Sequence, residues 1–168
     1  VRIEKLDRGP FSLGVEIVRA KGEVARKGQD HVQVPHPRVV FLSNAAMADT
    51  GLTARIDALA GQAAPLILCV GAGPLAVAQT GHAMTQRRID LLAIEQNAWV
   101  LAARDRRCKV VATRTELDWA MKNGQICVWA PSKIVLDAVD GPAGPSDALA
   151  LAAWFAGQMQ AAELLVVG

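Results

Sequence analysis

A glycine-containing turn near the middle of the chain has the residue types best suited to chemistry. The segment LILCVGAGPLAVAQTG carries an apolar run that ends at Gly71, Ala72 and Gly73. Glycines let backbone N–H groups approach an anion closely, and the N-terminus of a following helix adds a favourable dipole. The turn is therefore expected to bind either the pyrophosphate of a dinucleotide or a small anionic substrate.

The dinucleotide interpretation rests on the spacing of residues 71–76, which fits G-x-G-x-x-A and makes an NAD(P)-binding Rossmann-type protein one alternative. Such a site also needs an acidic residue about 20 positions further on, where it binds the ribose hydroxyls. Glu95 stands near that position. However, the segment from Gln86 to Ala103 has helical spacing and no strand alternation, which places Glu95 on a helix face. The small-anion interpretation is therefore favoured.

Other reactive side chains lack the spacing of a catalytic or metal site. His31, His36 and His82 are not at metal-ligand spacing, so no metal site is predicted. Ser43-Asn44 lacks the G-x-S-x-G context, which argues against a serine hydrolase. The three cysteines contain no C-x-x-C pair, and reduced thiols packed in the interior are expected.

Composition restricts the class of protein. The chain has 168 residues, 52% hydrophobic and 20% charged, which is enough for one packed domain. The densest basic cluster, Arg104 to Lys109, has no interleaved aromatic residue, so no nucleic-acid partner is expected. The longest apolar run is shorter than the ~20 residues that span a bilayer, and no segment has the order of a signal peptide. A cytoplasmic protein without a membrane partner is predicted.

Alternating strand and helix patterns predict how these residues are positioned. Residues 1–37 mix charged and apolar residues between Gly and Pro breaks, and are expected to form an extension of short antiparallel strands or an irregular arm. Residues 38–168 alternate regularly and predict an α/β fold, a three-layer α/β/α sandwich with a mostly parallel sheet. The predicted strands are RVVFLS, PLILCVG, CKVVAT, ICVWAP and ELLVVG. The predicted helices are DTGLTARIDALAGQ, a run opening at Pro74, Gln86 to Ala103, TELDWAMKNG with Thr115 as N-cap, and SDALALAAWFAGQMQA.

The order of segments from residue 38 to residue 168 resembles the amino acid kinase family, which includes the aspartate, glutamate and uridylate kinases. The most specific element is Ser146-Asp147 with the apolar helix and strand that follow, similar to the family's S-D-s-l-A segment. The nearest likeness is to small kinases of methanofuran-type cofactor biosynthesis. The resemblance implies transfer of a phosphoryl group from ATP, with magnesium, to a small-molecule carboxylate or phosphate. It assigns the orienting role to Asp147 and substrate binding to Gly71, Ala72, Gly73 and Ser146. Ser43 or Asn44 is expected to face the same substrate across the sheet.

The chain departs from the family's pattern where phosphoryl transfer depends on it. The family's first strand carries a lysine and two glycines, whereas the matching run has Phe41 in the place of the lysine and lacks both glycines. The family's nucleotide-binding segment, which follows the counterpart of ELLVVG, has no match in residues 38–168. The resemblance therefore implies a degenerate relative or subunit that binds a small anionic metabolite. An active kinase completed by a partner chain is the alternative.

The helix predicted for Gln86 to Ala103 has more apolar residues than one face against a sheet requires. Residues at helical spacing along it are Ile89, Leu92, Ala93, Gln96, Trp99 and Val100. Kinases of the resembled family commonly pair through the corresponding helix. A homodimer, or a heteromer with a related chain, is therefore expected.

Overall fold

The computed structural model describes residues 2–6, 15–19, 36–62, 64–73, 82–138 and 147–168. The helix expected to open at Pro74, and the candidates His31 and Ser146, lie outside these ranges. The strands are β1 Arg2–Leu6, β2 Val15–Arg19, β3 Arg38–Leu42, β4 Leu66–Val70, β5 Cys108–Val111, β6 Ile126–Trp129 and β7 Glu163–Val167. The helices are α1 Asn44–Ala48, α2 Leu52–Ala60, α3 Ala83–Arg104, α4 Arg114–Lys122, α5 Ser132–Asp137 and α6 Ala148–Gln158.

The strands join into one sheet in the order β1-β2-β7-β3-β4-β6-β5. The five strands from β7 to β5 are all parallel, and β1 and β2 extend the β7 edge as an antiparallel pair. At the centre, Val40 is opposite both Leu68 and Leu165. These strands are continuous apolar runs because both faces of a parallel sheet are covered by helices. The predicted α/β fold is confirmed.

Helices cover both faces of the sheet. On one side α3 contacts α1, since the Arg104 guanidinium donates to the carbonyl of Met47 at 2.6 Å. On the other side the ring of Phe155 in α6 stacks on Trp129 of β6, with centroids 4.0 Å apart. The connection from β4 through α3 to β5 and that from β6 through α6 to β7 run in opposite directions along the sheet. Right-handed crossovers therefore place α3 and α6 on opposite faces, which gives three layers.

The core is centred on the middle parallel strands. Val39, Ile67 and Val128 are fully buried there. The three cysteines are free thiols within this core, as predicted. Burial raises the pKa of Cys108 to about 11 and that of Cys127 to about 12. No helix in the described ranges is both long enough and apolar enough to cross a bilayer.

The start of α4 corrects the sequence prediction. The N-cap is Thr113, two residues before the predicted Thr115. The Thr113 hydroxyl accepts the N–H of Glu116 at 3.2 Å, and the Glu116 carboxylate accepts the Thr113 N–H at the same distance. This reciprocal capping box satisfies two N–H groups at once, which a cap at Thr115 would not do. The helix ends at the predicted stop, with Asn123 as C-cap and Gly124 at φ 66°.

The buried face of α3 also differs from the predicted stripe. The side chains that pack inward include Leu91, Ile94, Ala98 and Leu101. Of the predicted stripe, Ala93 is buried, but Leu92, Gln96, Trp99 and Val100 are exposed. Two apolar series run along this helix one position apart, and helical spacing alone does not say which of them meets the sheet.

Candidate functional site

The candidate residues that follow β3 and β4 lie together at one edge of the sheet. Parallel strands end at the same edge, and α/β proteins bind ligands there. The N–H of Gly73 donates to the Asn44 side-chain oxygen at 3.0 Å, and the N–H of Gly71 donates to the carbonyl of Leu42 at 3.2 Å. The structure thus brings the Ser43-Asn44 pair and the Gly71–Gly73 loop into direct contact.

Asparagine side chains lie close to both glycines of the loop. A Cβ on Gly71 would lie 2.7 Å from the Asn44 Oδ1. Gly73 has φ 62°, in the left-handed region, and a Cβ there would lie 2.5 Å from the Asn97 Nδ2. Asn97 also donates to the carbonyl of Gly71 at 2.7 Å. The loop is therefore fixed from α1 by Asn44 and from α3 by Asn97.

Asn97 is a loop-positioning residue that the sequence interpretation missed. It is half-buried in α3 beside the buried Ala98. Asparagine has a lower helix propensity than the alanines and leucines around it. An asparagine inside a helix, where its propensity is unfavourable, was therefore the available signal.

Three neutral hydrogen-bond donors belong to the residues at this edge of the sheet. The Ser43 hydroxyl oxygen accepts the Ala46 N–H at 3.2 Å as the N-cap of α1, which leaves its own proton available. Within the described residues, no acceptor is paired with the Asn44 Nδ2 or with the Ala72 N–H. Hydroxyl, amide and backbone N–H groups of this kind bind carboxylate or phosphate oxygens without supplying a full positive charge.

Asp147 has a structural contact of its own. It is the exposed N-cap of α6, and its carboxylate accepts the Leu149 N–H at 3.1 Å. Within the described part of the chain, no hydrogen bond joins Asp147 to the glycine loop. Its neighbour Ser146, also predicted to bind substrate, lies outside the described residues. Asp147 therefore acts as the N-cap of α6 in the structure.

Glu95 lies midway along α3, as predicted from the helical spacing of its segment. Its carboxylate accepts the N–H of Ser132 at 2.9 Å, which ties α3 to the start of α5 beyond the end of β6. A dinucleotide site of the Rossmann type needs this acidic group at a strand end, facing the ribose. The geometry therefore gives Glu95 a structural partner in place of a ribose.

Phe41 occupies an apolar environment in the middle of the sheet. It is 8% exposed and pairs in register with Cys69 of β4 and Val166 of β7. An aromatic ring held there supplies no charge to an anion at the edge of the sheet. The described residues also contain no group of three His, Cys, Asp or Glu side chains that could hold a metal ion.

No protein-family model matches the chain, and no curated protein matches it significantly. The likeness to amino acid kinases therefore depends on the order of segments and on the residues quoted for it.

Proposed function

We propose that this chain binds a small anionic metabolite at the carboxyl edge of its parallel sheet, as a non-catalytic relative of the amino acid kinases. The ligand's carboxylate or phosphate oxygens would accept from Ser43, the Asn44 side-chain amide and the Ala72 N–H. The observation that carries this proposal is the hydrogen bond from the Gly73 N–H to Asn44. It orients the Asn44 amide so that its oxygen faces the loop and its NH₂ group is left to donate.

The absence of catalysis is inferred from the kind of groups at this edge. Phosphoryl transfer requires positive charge or metal ions against the developing charge of the transferred group. Among the described residues, the groups hydrogen-bonded to the glycine loop are amides and backbone, and Phe41 stands where the resembled family has its lysine. ATP and magnesium therefore have no part in the proposed function. Ancestry in phosphoryl transfer, including C1 cofactor biosynthesis, is proposed from the resemblance alone.

A titration with inorganic phosphate, acetate, MgATP and NAD tests this proposal. We expect phosphate or acetate to raise the melting temperature of the wild type, and Asn44→Asp to abolish that rise. The substituted carboxylate still accepts the Gly73 N–H, so the loop is kept while the donor is lost and a repelling charge is added. Asn123→Asp is the matched control, because Asn123 caps α4 through the Trp119 carbonyl.

Three results would contradict the proposal. The first is an equal response of the wild type and Asn44→Asp to the anions. The second is a micromolar dissociation constant for MgATP, about 8 kcal/mol of binding, which would favour an active kinase. The third is stabilisation by NAD that is lost in Glu95→Ala, which would favour the dinucleotide alternative.

We also propose that two copies of this chain pair through α3. Its outward stripe exposes Leu92, Trp99 and Val100, and Trp99 is 65% exposed. A two-fold contact needs only one such patch, because the same surface meets itself. Large aromatic side chains are enriched at the centres of such interfaces.

A further inference from the structure

A cavity of about 300 Å³ lies between the start of α4, α5 and α6. Its lining includes Thr113 and Arg114 beyond the end of β5, Lys133 and Asp137 of α5, and Trp154 of α6. It shares no residue with the glycine-loop site. Its volume is at the lower end of the range for small-molecule pockets, which suits a ligand of one ring.

One wall of this cavity is fixed by hydrogen bonds. The Glu116 carboxylate accepts the N–H groups of Ala112 at 2.8 Å and Thr113 at 3.2 Å. The Ala112 hydrogen bond is the main cause that holds the pKa of Glu116 below its usual range, and the nearby charge of Lys133 adds to it. The turn from β5 into α4 is thus held by its own carboxylate, and an incoming ligand does not have to order it.

Two cationic side chains of the lining form no ion pair within the described residues, although Glu116 lies close enough to Lys133 for their charges to interact. Within the described structure, Arg38, Arg55 and Arg107 each form an ion pair with an acidic residue, whereas exposed cations such as Arg106 and Lys122 do not. The Arg114 guanidinium instead makes two long contacts, each of 3.4 Å, to the Gln158 carbonyl and side-chain oxygens. No carboxylate of the described residues lies within 4.0 Å of the Lys133 ammonium. An arginine held only by these long contacts, in the same cavity as a second cation, is suited to a carboxylate ligand.

The remaining wall is apolar and preformed. Trp154 is half-buried and packs on the core, and Ile134 lines the cavity beside it. The next residue along α6, Phe155, stacks on Trp129 of the sheet, which anchors this part of the helix. A planar ring can therefore pack against the indole without a rearrangement of α6. Among the described residues of the lining, Asp137 is the one acidic side chain, and it disfavours a ligand with several negative charges.

We propose that this cavity binds an aromatic carboxylate of a single ring, with its carboxylate between Arg114 and Lys133 and its ring against Trp154. This arrangement requires both the carboxylate and the ring of the ligand. The two cations provide charge-assisted hydrogen bonds, and the indole and Ile134 provide the apolar contact.

Benzoate is the probe that tests the proposal, with acetate as an anion without a ring and benzyl alcohol as a ring without a charge. The indole N–H signals are followed by NMR, and that of Trp154 is assigned from its loss in Trp154→Phe. We expect benzoate to shift this signal saturably, and each comparison compound to need about tenfold higher concentration or more. Acetate binding as well as benzoate, or no saturable shift with benzoate, would overturn the proposal.

Substitutions locate the carboxylate of the probe. We expect Arg114→Ala and Lys133→Ala each to weaken benzoate binding about tenfold or more. Arg106→Ala and Lys122→Ala remove exposed cations that do not line the cavity, and are expected to leave binding unchanged. Benzoate binding that survives both cavity substitutions would contradict the assignment. Asn44→Asp should not affect benzoate, and loss of binding in that variant would place the probe at the glycine loop instead.

Discussion

At the scale of single residues, asparagine amides determine the shape of the glycine loop. Each amide can donate and accept at once, so Asn44 accepts a loop N–H while Asn97 donates to a loop carbonyl. The glycines at positions 71 and 73 leave the space that these side chains occupy. An anion bound there would therefore meet a loop already ordered before binding, which lowers the entropic cost of binding.

Gly73 and Gly124 form a matched pair for measuring how the packing of Asn97 against Gly73 affects stability. Both have a positive φ, but a Cβ on Gly124 would have nothing within 4 Å, whereas one on Gly73 would meet Asn97. We expect Gly124→Ala to cost about 1 kcal/mol of unfolding free energy from the backbone conformation alone. Gly73→Ala should cost more, and urea unfolding curves measure both. Equal costs would mean that the Asn97 contact has no effect on stability.

Glu116 gives a pH dependence whose sign follows from its lowered pKa. A carboxyl whose folded pKa is below the unfolded value, about 4.3 for Glu, stabilises the fold above that pH. This contribution is lost as the pH falls below about 4.3 and through the folded pKa. We therefore expect wild type to be more stable than Glu116→Gln at pH 7, with the difference shrinking in acid. Asp118→Asn makes the same change of charge on α4, and an identical pH profile for it would contradict the assignment to the cap.

At the scale of elements, the start of α4 depends on one hydroxyl. We expect Thr113→Ala to lower the unfolding free energy by about 1 kcal/mol, because a helix N-cap is lost. Thr115→Ala is the control, since Thr115 is exposed within the helix and caps nothing. Denaturant unfolding of the two variants separates these roles. A larger loss of unfolding free energy for Thr115→Ala would indicate that Thr115 is the N-cap, as predicted from the sequence.

The elements themselves were largely predictable, because their patterns are local. Buried parallel strands appear as apolar runs such as RVVFL and LILCV, and these match β3 and β4. The face of α3 was not predictable, because which of its two apolar series meets the sheet depends on contacts with distant segments. The adjacency of Ser43-Asn44 and Gly71–Gly73 followed from parallel strand ends, but the role of Asn97 needed the packing of α3 against the loop.

At the scale of the whole molecule, substitutions in the outward stripe of α3 test whether the chain forms a homodimer. We expect the wild type to sediment as a dimer, and Trp99→Lys to sediment as a monomer, because a charge at the centre of an apolar contact is desolvated without a partner. Trp119→Lys is the matched control on α4, where the tryptophan is 57% exposed. A wild-type monomer at tens of micromolar would contradict homodimer formation. Equal dissociation of both variants would exclude α3 as the contact.

The rates at which a reagent labels the three cysteines can report how the strands of the sheet separate. Cys69, Cys127 and Cys108 lie on the neighbouring strands β4, β6 and β5, the last at the edge of the sheet. Buried thiols of raised pKa react with a thiol reagent chiefly when the structure opens. Equal labelling rates at the three positions would mean that these strands separate in one cooperative event. Faster labelling of Cys108 would mean that the sheet opens from β5 inward.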